Sequence, residues 1–267
     1  MSDPRLPVVL LWHMHQPPYR DALSGRYVLP WTYLHAIKDY TDMAAHLEAQ
    51  PDAKAVVNFT PVLIEQLEEL AAGVRANLQR GTPLQDALLA SLSGTPLPAD
   101  PESRLLLLRA CLRADRRNLV ERHPEFTLLV DLATQLGVPE RIGYASDALL
   151  HDLSVWYHIA WLGESVRGDV RVMQLVAKGR GFEAADRLLL LGVVGELLSG
   201  ILPRWRALAD AGRCELAVSP YGHPILPLLL DFATARESEP HALLPHSPKY
   251  PGGAARAAWH LEEAVRC

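Results

Sequence analysis

Three short strings hold the side chains best suited to chemistry. The first is His13-Met-His-Gln16, which follows the continuous apolar run Pro7-Val-Val-Leu-Leu-Trp12. Alternate residues of a strand point to one side, so a strand persisting past Trp12 would aim His13 and His15 the same way. Two imidazoles supply donors and acceptors near neutral pH and are also the commonest metal ligands. Gln16 adds a planar amide suited to hydroxyl groups, and Pro17 and Pro18 stiffen the exit. A hydrogen-bonded pair of loop histidines would satisfy the same string without any further role.

The second string, Leu29-Pro-Trp-Thr-Tyr-Leu-His-Ala-Ile-Lys-Asp-Tyr40, gathers Trp31, His35, Lys38 and Asp39 at the start of a helix. Residues four apart share a helical face, which pairs Trp31 with His35 and His35 with Asp39. Trp31 offers a flat surface on which a sugar ring can stack, although a tryptophan at a helix start is more often packed. Lys38 and Asp39 read equally as solvated charges. The third string is Gly212-Arg-Cys-Glu-Leu-Ala-Val-Ser-Pro-Tyr-Gly-His-Pro224. It puts Glu215 inside an apolar strand, where a buried carboxylate is costly unless it is paired or functional. It also puts His223 in a stiff loop beyond that strand. Each has a structural explanation when taken alone: Glu215 can bond an arginine or an amide, and His223 can brace its loop.

The elements that must position these groups follow from the apolar pattern. Pro7–Trp12, Ala55–Phe59 and Cys214–Val218 are short continuous apolar runs, the pattern of parallel strands covered on both faces. Between the first two, Leu34, Ile37, Thr41, Ala44 and Ala45 mark one face of a helix over roughly Thr32–Gln50. After the second, Thr60 and Pro61 start a helix carrying Leu63, Leu67, Leu70 and Ala71 at helical spacing up to Gly73. This alternation is the grammar of a parallel α/β core, and such folds place ligand sites just past the carboxyl ends of their strands. The stretch 73–211 differs. It is rich in Leu, Ala, Arg and Glu, is clearest as helix over Leu105–Arg117, Asp147–Leu162 and Phe182–Leu198, and reads as a helical insertion between the second and third strands. Pro251-Gly-Gly253 introduces a last helix, Ala254–Arg266. Three strands in 267 residues are too few for a complete parallel barrel, so the chain is expected to be the first part of a larger one.

Composition narrows the function classes. The chain is 49 % hydrophobic and 21 % charged with a formal net charge of −5, and its basic residues are scattered, so neither a nucleic-acid nor a membrane partner is expected. No apolar stretch has membrane-spanning length, and Leu188–Leu198 is interrupted by Gly192, Gly195 and Glu196. Cys111, Cys214 and Cys267 form no metal or disulfide motif, so reduced thiols in a cytoplasmic protein are expected.

An ordered set of strings resembles family 57 glycoside hydrolases. The set comprises His15-Gln-Pro17, Leu29-Pro-Trp31 with Leu34-His-Ala-Ile-Lys-Asp-Tyr40, Asp152-Leu-Ser-Val-Trp-Tyr-His158, Gly212-x-x-Glu215, Tyr221-Gly-His-Pro-Ile-Leu-Pro227 and Tyr250-Pro-Gly-Gly253. The resemblance implies an α/β fold, the N-terminal part of an incomplete (β/α)7 barrel. Residues 1–72 would supply two β/α units, 73–211 the helical insertion and 212–267 a third unit, before the fourth strand. It implies an enzyme acting on α-1,4- or α-1,6-linked α-glucans or malto-oligosaccharides by a retaining double displacement, without a metal or other cofactor. His13 and His15 would line the subsite beside the cleaved bond, with Gln16, Trp31, His35, Glu215 and His223 also binding substrate. The family's nucleophilic glutamate and acid/base aspartate follow the Pro-Gly-Gly helix, so no catalytic residue is assigned within this chain. Both are expected beyond Cys267, which would leave the chain inactive alone. Trp161-Leu-Gly-Glu164 imitates the nucleophile motif but lies in the helical stretch. An open barrel edge would permit self-association.

Two other readings remain. His13-Met-His15 also opens amidohydrolase-type barrels, whose histidines hold a metal that activates water. A helical or carbohydrate-binding module without catalysis would equally suit the long Leu/Ala-rich stretch.

Overall fold

A computed structural model describes residues 8–247 and 249–267. The chain is a helix-rich α/β protein with a small parallel sheet. Strands β1 (Leu11–Met14), β2 (Ala55–Phe59) and β3 (Cys214–Val218) pair in the order β1-β2-β3, all parallel. The second and third strands coincide with the apolar runs read from the sequence. The first sits later than expected. Val8–Leu10 precede it, although the Leu10 carbonyl still accepts from the Val56 amide at 2.8 Å, and Pro7 lies outside the described residues. The strand therefore runs through His13 rather than ending before it.

The helices are α1 (Trp31–His35), α2 (Thr41–Ala49), α3 (Pro61–Arg80), α4 (Pro101–Cys111), α5 (Pro124–Leu136), α6 (Asp147–Trp161), α7 (Val170–Lys178), α8 (Ala184–Asp210) and α9 (Gly253–Arg266), with single-turn helices between some of them. Between α1 and α2, Ala36–Tyr40 winds as a π-helix, and the Thr41 hydroxyl donates to the Ala36 carbonyl at 2.8 Å. Inserting such a turn rotates the residues on either side of it, and π-bulges often mark functional positions.

The chain divides into two compact units. One, among the described residues, comprises 8–18, 52–66 and 207–267, and it contains the sheet. The other is helical, Tyr19–Pro51 with Leu67–Arg206. In the sheet unit, β2 alternates between fully buried Ala55, Val57 and Phe59 and half-buried Val56 and Asn58. The outer strands are not covered on both faces as expected. Leu11 is 62 %, Leu216 46 % and Val218 56 % exposed, although Leu216 and Val218 lie in register with buried Val57 and Phe59. Being central, β2 is flanked on both sides; β1 and β3 each leave one ladder open.

In the helical unit, the Asp152–His158 string is the spine of the core. The Asp152 carboxylate accepts from the amides of Gly181 and Phe182 at 2.9 and 2.8 Å, and Trp156 Nε1 donates to the Gly179 carbonyl at 2.6 Å. Fully buried His158 donates from Nδ1 to the Ser154 carbonyl at 2.8 Å, and its Nε2 lies 3.0 Å from the Tyr33 hydroxyl. No helix among the described residues is long and apolar enough to cross a membrane.

Candidate functional site

The carboxyl end of the sheet brings three histidines together. His13 is the third residue of β1, His15 follows the strand, and His223 lies five residues past β3. Their ring centroids are 4.7 Å apart for His13–His223 and His15–His223, and 5.8 Å for His13–His15, whose rings stack.

Each is held by a different device. Parallel pairing sets His13 beside Asn58 in register, and His13 Nδ1 lies 2.6 Å from Asn58 Oδ1. The Ser219 hydroxyl donates to the same oxygen at 2.8 Å, so one polar contact line runs across all three strands. His15 Nδ1 lies 3.1 Å from the Thr60 hydroxyl, at the carboxyl end of β2. The Gln16–Pro17 exit is fixed from below. Buried Gln66 donates through Nε2 to the carbonyls of Gln16, Pro17 and Val62 at 3.4, 3.1 and 3.0 Å. Asn58, Thr60, Gln66 and Ser219 escaped the sequence reading. The one signal was Asn58 itself, an amide inside the otherwise apolar Ala55–Phe59 run.

His223 is held by its loop. Tyr221 donates its hydroxyl to Glu65 at 2.7 Å and its amide to the His260 carbonyl at 2.9 Å, while His260 Nδ1 returns a short bond to the Tyr221 carbonyl. Gly222 and His223 then both take left-handed backbone, with φ of 71° and 54°. For a residue with a Cβ this conformation costs about 1–2 kcal/mol and persists where the surroundings hold it, often at functional positions. Here it swings the imidazole onto His13 and His15. The Pro251-Gly-Gly253 string has a matching explanation. Gly252 needs φ of 70° to start α9, and a Cβ on Gly253 would overlap the Leu229 carbonyl oxygen.

Electrostatically, the surroundings of His15 favour its neutral ring. Partial burial, then the neighbouring His223 and His13, hold His15 below the ordinary histidine range. Neutral imidazoles donate and accept hydrogen bonds, which suits a ligand rich in hydroxyls. Glu215 is not the buried carboxylate expected from its apolar strand. It is exposed because β3 is an edge strand. It stands in register with Val56 and Leu11, on the same sheet face as His13 but one pleat earlier. Among the described residues, no group of three or more His, Cys, Asp or Glu is arranged to hold a metal ion.

Trp31 and His35 belong to the helical unit and form a second cluster there. Their rings are 6.4 Å apart, and Trp161, which the sequence reading did not connect with them, packs 6.0 Å from Trp31 and edge-on to His35 at 5.9 Å. His35 Nδ1 and Lys38 Nζ bond the two oxygens of Asp39 at 2.5 and 2.6 Å. Burial pushes the Asp39 carboxyl up, but these two bonds outweigh it and hold the group below the usual carboxylate range. Trp31 is only partly covered, so one part of its ring remains accessible. Glu164, in the string that imitates a nucleophile motif, is exposed and paired with Arg122 at 2.5 Å.

Searches of curated proteins and of solved structures return no significant match. The family model described as glycosyl hydrolase family 57 matches residues 9–243 and so takes in all three strands, the three histidines, Trp31, His35 and Glu215. The chain belongs to glycosyl hydrolase family 57.

Proposed function

We propose that this chain forms the substrate-holding part of an α-glucan-active glycosidase of the retaining type. The carrying observation is the convergence of His13, His15 and His223 at the carboxyl end of a parallel sheet. The trio, with Gln16 beside it, binds sugar hydroxyls, and Glu215 supports the same face from the edge strand. Within the helical unit, Trp31 and His35 offer a stacking surface and a donor of their own. Retaining hydrolysis needs two carboxyl groups about 5–5.5 Å apart. Among the described residues, the hydrogen-bond partners of His13 and His15 are an asparagine and a threonine, not a carboxylate pair. On this reading the nucleophile and the acid/base are not among the residues gathered at this rim, and the sheet is part of an incomplete (β/α)7 barrel. Exposed Leu216 and Val218 on β3 support a sheet that belongs to such a larger barrel. Residues 1–72, 73–211 and 212–267 then correspond to two β/α units, a helical insertion and a third unit. An odd number of cysteines without a disulfide pattern supports a cytoplasmic setting.

The test is titration of the chain with maltohexaose, following histidine side-chain resonances. Saturable shifts of His13, His15 and His223, weakened roughly tenfold in His223→Ala, are expected, with no release of reducing sugar. Unmoved histidines would refute the binding rim, and steady hydrolysis of the glucan would refute the missing carboxylate pair.

A further inference from the structure

We propose that Asn58 is a positioning residue that fixes the tautomer of His13, so that His13 presents a lone pair rather than a proton at Nε2. The argument rests on which atoms can donate. An amide carbonyl oxygen only accepts hydrogen bonds and has two lone pairs. Asn58 Oδ1 has two partners, the Ser219 hydroxyl at 2.8 Å and His13 Nδ1 at 2.6 Å. Ser219 donates, and the ring nitrogen must donate as well, because the oxygen gives it nothing to accept. A neutral imidazole carries one N–H. With Nδ1 protonated, Nε2 is an acceptor, and the ring that bears it is exposed.

The device is built into the sheet. Register places His13, Asn58 and Ala217 in one row across the three strands, and Ser219, two residues past Ala217, reaches back to the same amide. Asn58 is half-buried at the centre, where both neighbours reach it. Ser219 thus orients the amide, the amide orients the imidazole, and the imidazole faces outward as an acceptor. His15 has no equivalent constraint, because the Thr60 hydroxyl beside its Nδ1 can donate or accept. The functional consequence rests on the sugar-binding reading of His13. An Nε2 lone pair accepts the proton of a sugar hydroxyl, whereas the opposite tautomer would repel that O–H and seek an oxygen lone pair.

Nitrogen-15 NMR of the histidine rings in the sugar-free chain reads the tautomer directly, which a purely structural role for Asn58 would leave unmoved. His13 is expected as Nδ1–H in the wild type. Asn58→Ala should shift the ratio of the two tautomers roughly tenfold toward Nε2–H, the loss of one hydrogen bond. Asn58→Asp, which keeps an acceptor in place, should restore Nδ1–H. Ser219→Ala, a milder change, should give a smaller shift in the same direction and serves if Asn58→Ala does not fold. A wild-type His13 found as Nε2–H would overturn the proposal, since it would require the amide to be turned with its nitrogen toward the ring. An unchanged tautomer in Asn58→Ala would overturn it too. Maltohexaose affinity is measured separately, with Asn58→Ala expected to bind roughly tenfold more weakly than Asn58→Asp. Expected tautomers with no affinity in the wild type would count against the sugar-binding reading alone.

Discussion

Acid should loosen the helical unit through one histidine. His158 is fully buried, with Nδ1 donating to Ser154 and Nε2 facing the Tyr33 hydroxyl, so both nitrogens have partners in the neutral ring. Burial, which disfavours the charged ring, pushes its pKa down from 6.5 to about 4, partly offset by the Ser154 bond. Above about pH 6.5 folded and unfolded chains are both neutral there, and nothing is lost. As pH falls below that value, the unfolded chain binds a proton that the folded chain refuses, so stability declines until about pH 4. The span between 6.5 and 4, at 1.36 kcal/mol per pH unit, gives a loss of about 3 kcal/mol. That is a large share of the roughly 5–15 kcal/mol that holds a typical domain. His158→Gln keeps a donor and an acceptor but cannot titrate. Urea denaturation of both proteins at pH 7 and pH 4, followed by helical circular dichroism, isolates the term because all other groups are shared. Wild type should lose about 3 kcal/mol more than the variant between the two pH values. Equal losses would refute the reasoning.

Asp86 works in the opposite direction. Buried at the start of the Ala87–Ala90 turn, its carboxyl is pushed up to about 6 by desolvation, against the bonds from the Leu89 and Leu88 amides. The folded state therefore resists ionisation above about pH 4, and Asp86→Asn should stabilise at pH 7 by about 1–3 kcal/mol, with the gain fading as pH falls from about 6 to about 4 in thermal melts. Gly163→Ala should destabilise by about 1–3 kcal/mol, because its Cβ would lie 2.5 Å from the Asp42 carboxylate that accepts from the Glu164 and Ser165 amides. A double-mutant cycle with Asp42→Ala should show strong coupling between the two sites. Gly253→Ala should displace α9 and cost about 3 kcal/mol or more, and it should also move the His223 resonances through the His260–Tyr221 link.

What could be read from the sequence was what local pattern determines. Ala55–Phe59 and Cys214–Val218 are bounded apolar runs and were placed to the residue. β1 was placed too early because His13 interrupts the apolar pattern while the ladder continues through it to Met14. The helix read over Phe182–Leu198 runs instead as Ala184–Asp210, with Pro203 inside it. One lost backbone bond is outweighed there by Leu198, Ile201, Trp205 and Leu208, which keep a buried face at helical spacing. The i,i+4 rule brought Trp31 to His35 and His35 to Asp39. What stayed hidden depends on distant pairing. Asn58, Thr60 and Ser219 matter only because neighbouring strands bring them to the histidines, and Trp161 reaches Trp31 only through tertiary packing. Glu215 misled for the same reason, since an apolar run does not say whether its strand is central or at the edge.

The order of the strands along the chain has a kinetic consequence. β1 and β2 are near neighbours in sequence, but more than half the chain, most of it helical, separates β2 from β3. Helices form from local contacts in microseconds or less, whereas a parallel ladder must wait for its loop to close. The Asn58–Ser219 bond is therefore among the last contacts available, and His13 takes up its final orientation only when the third strand arrives. Until then β2 offers an unpaired edge, and a chain that stalls at this point presents a strand to other chains instead of a site to a ligand.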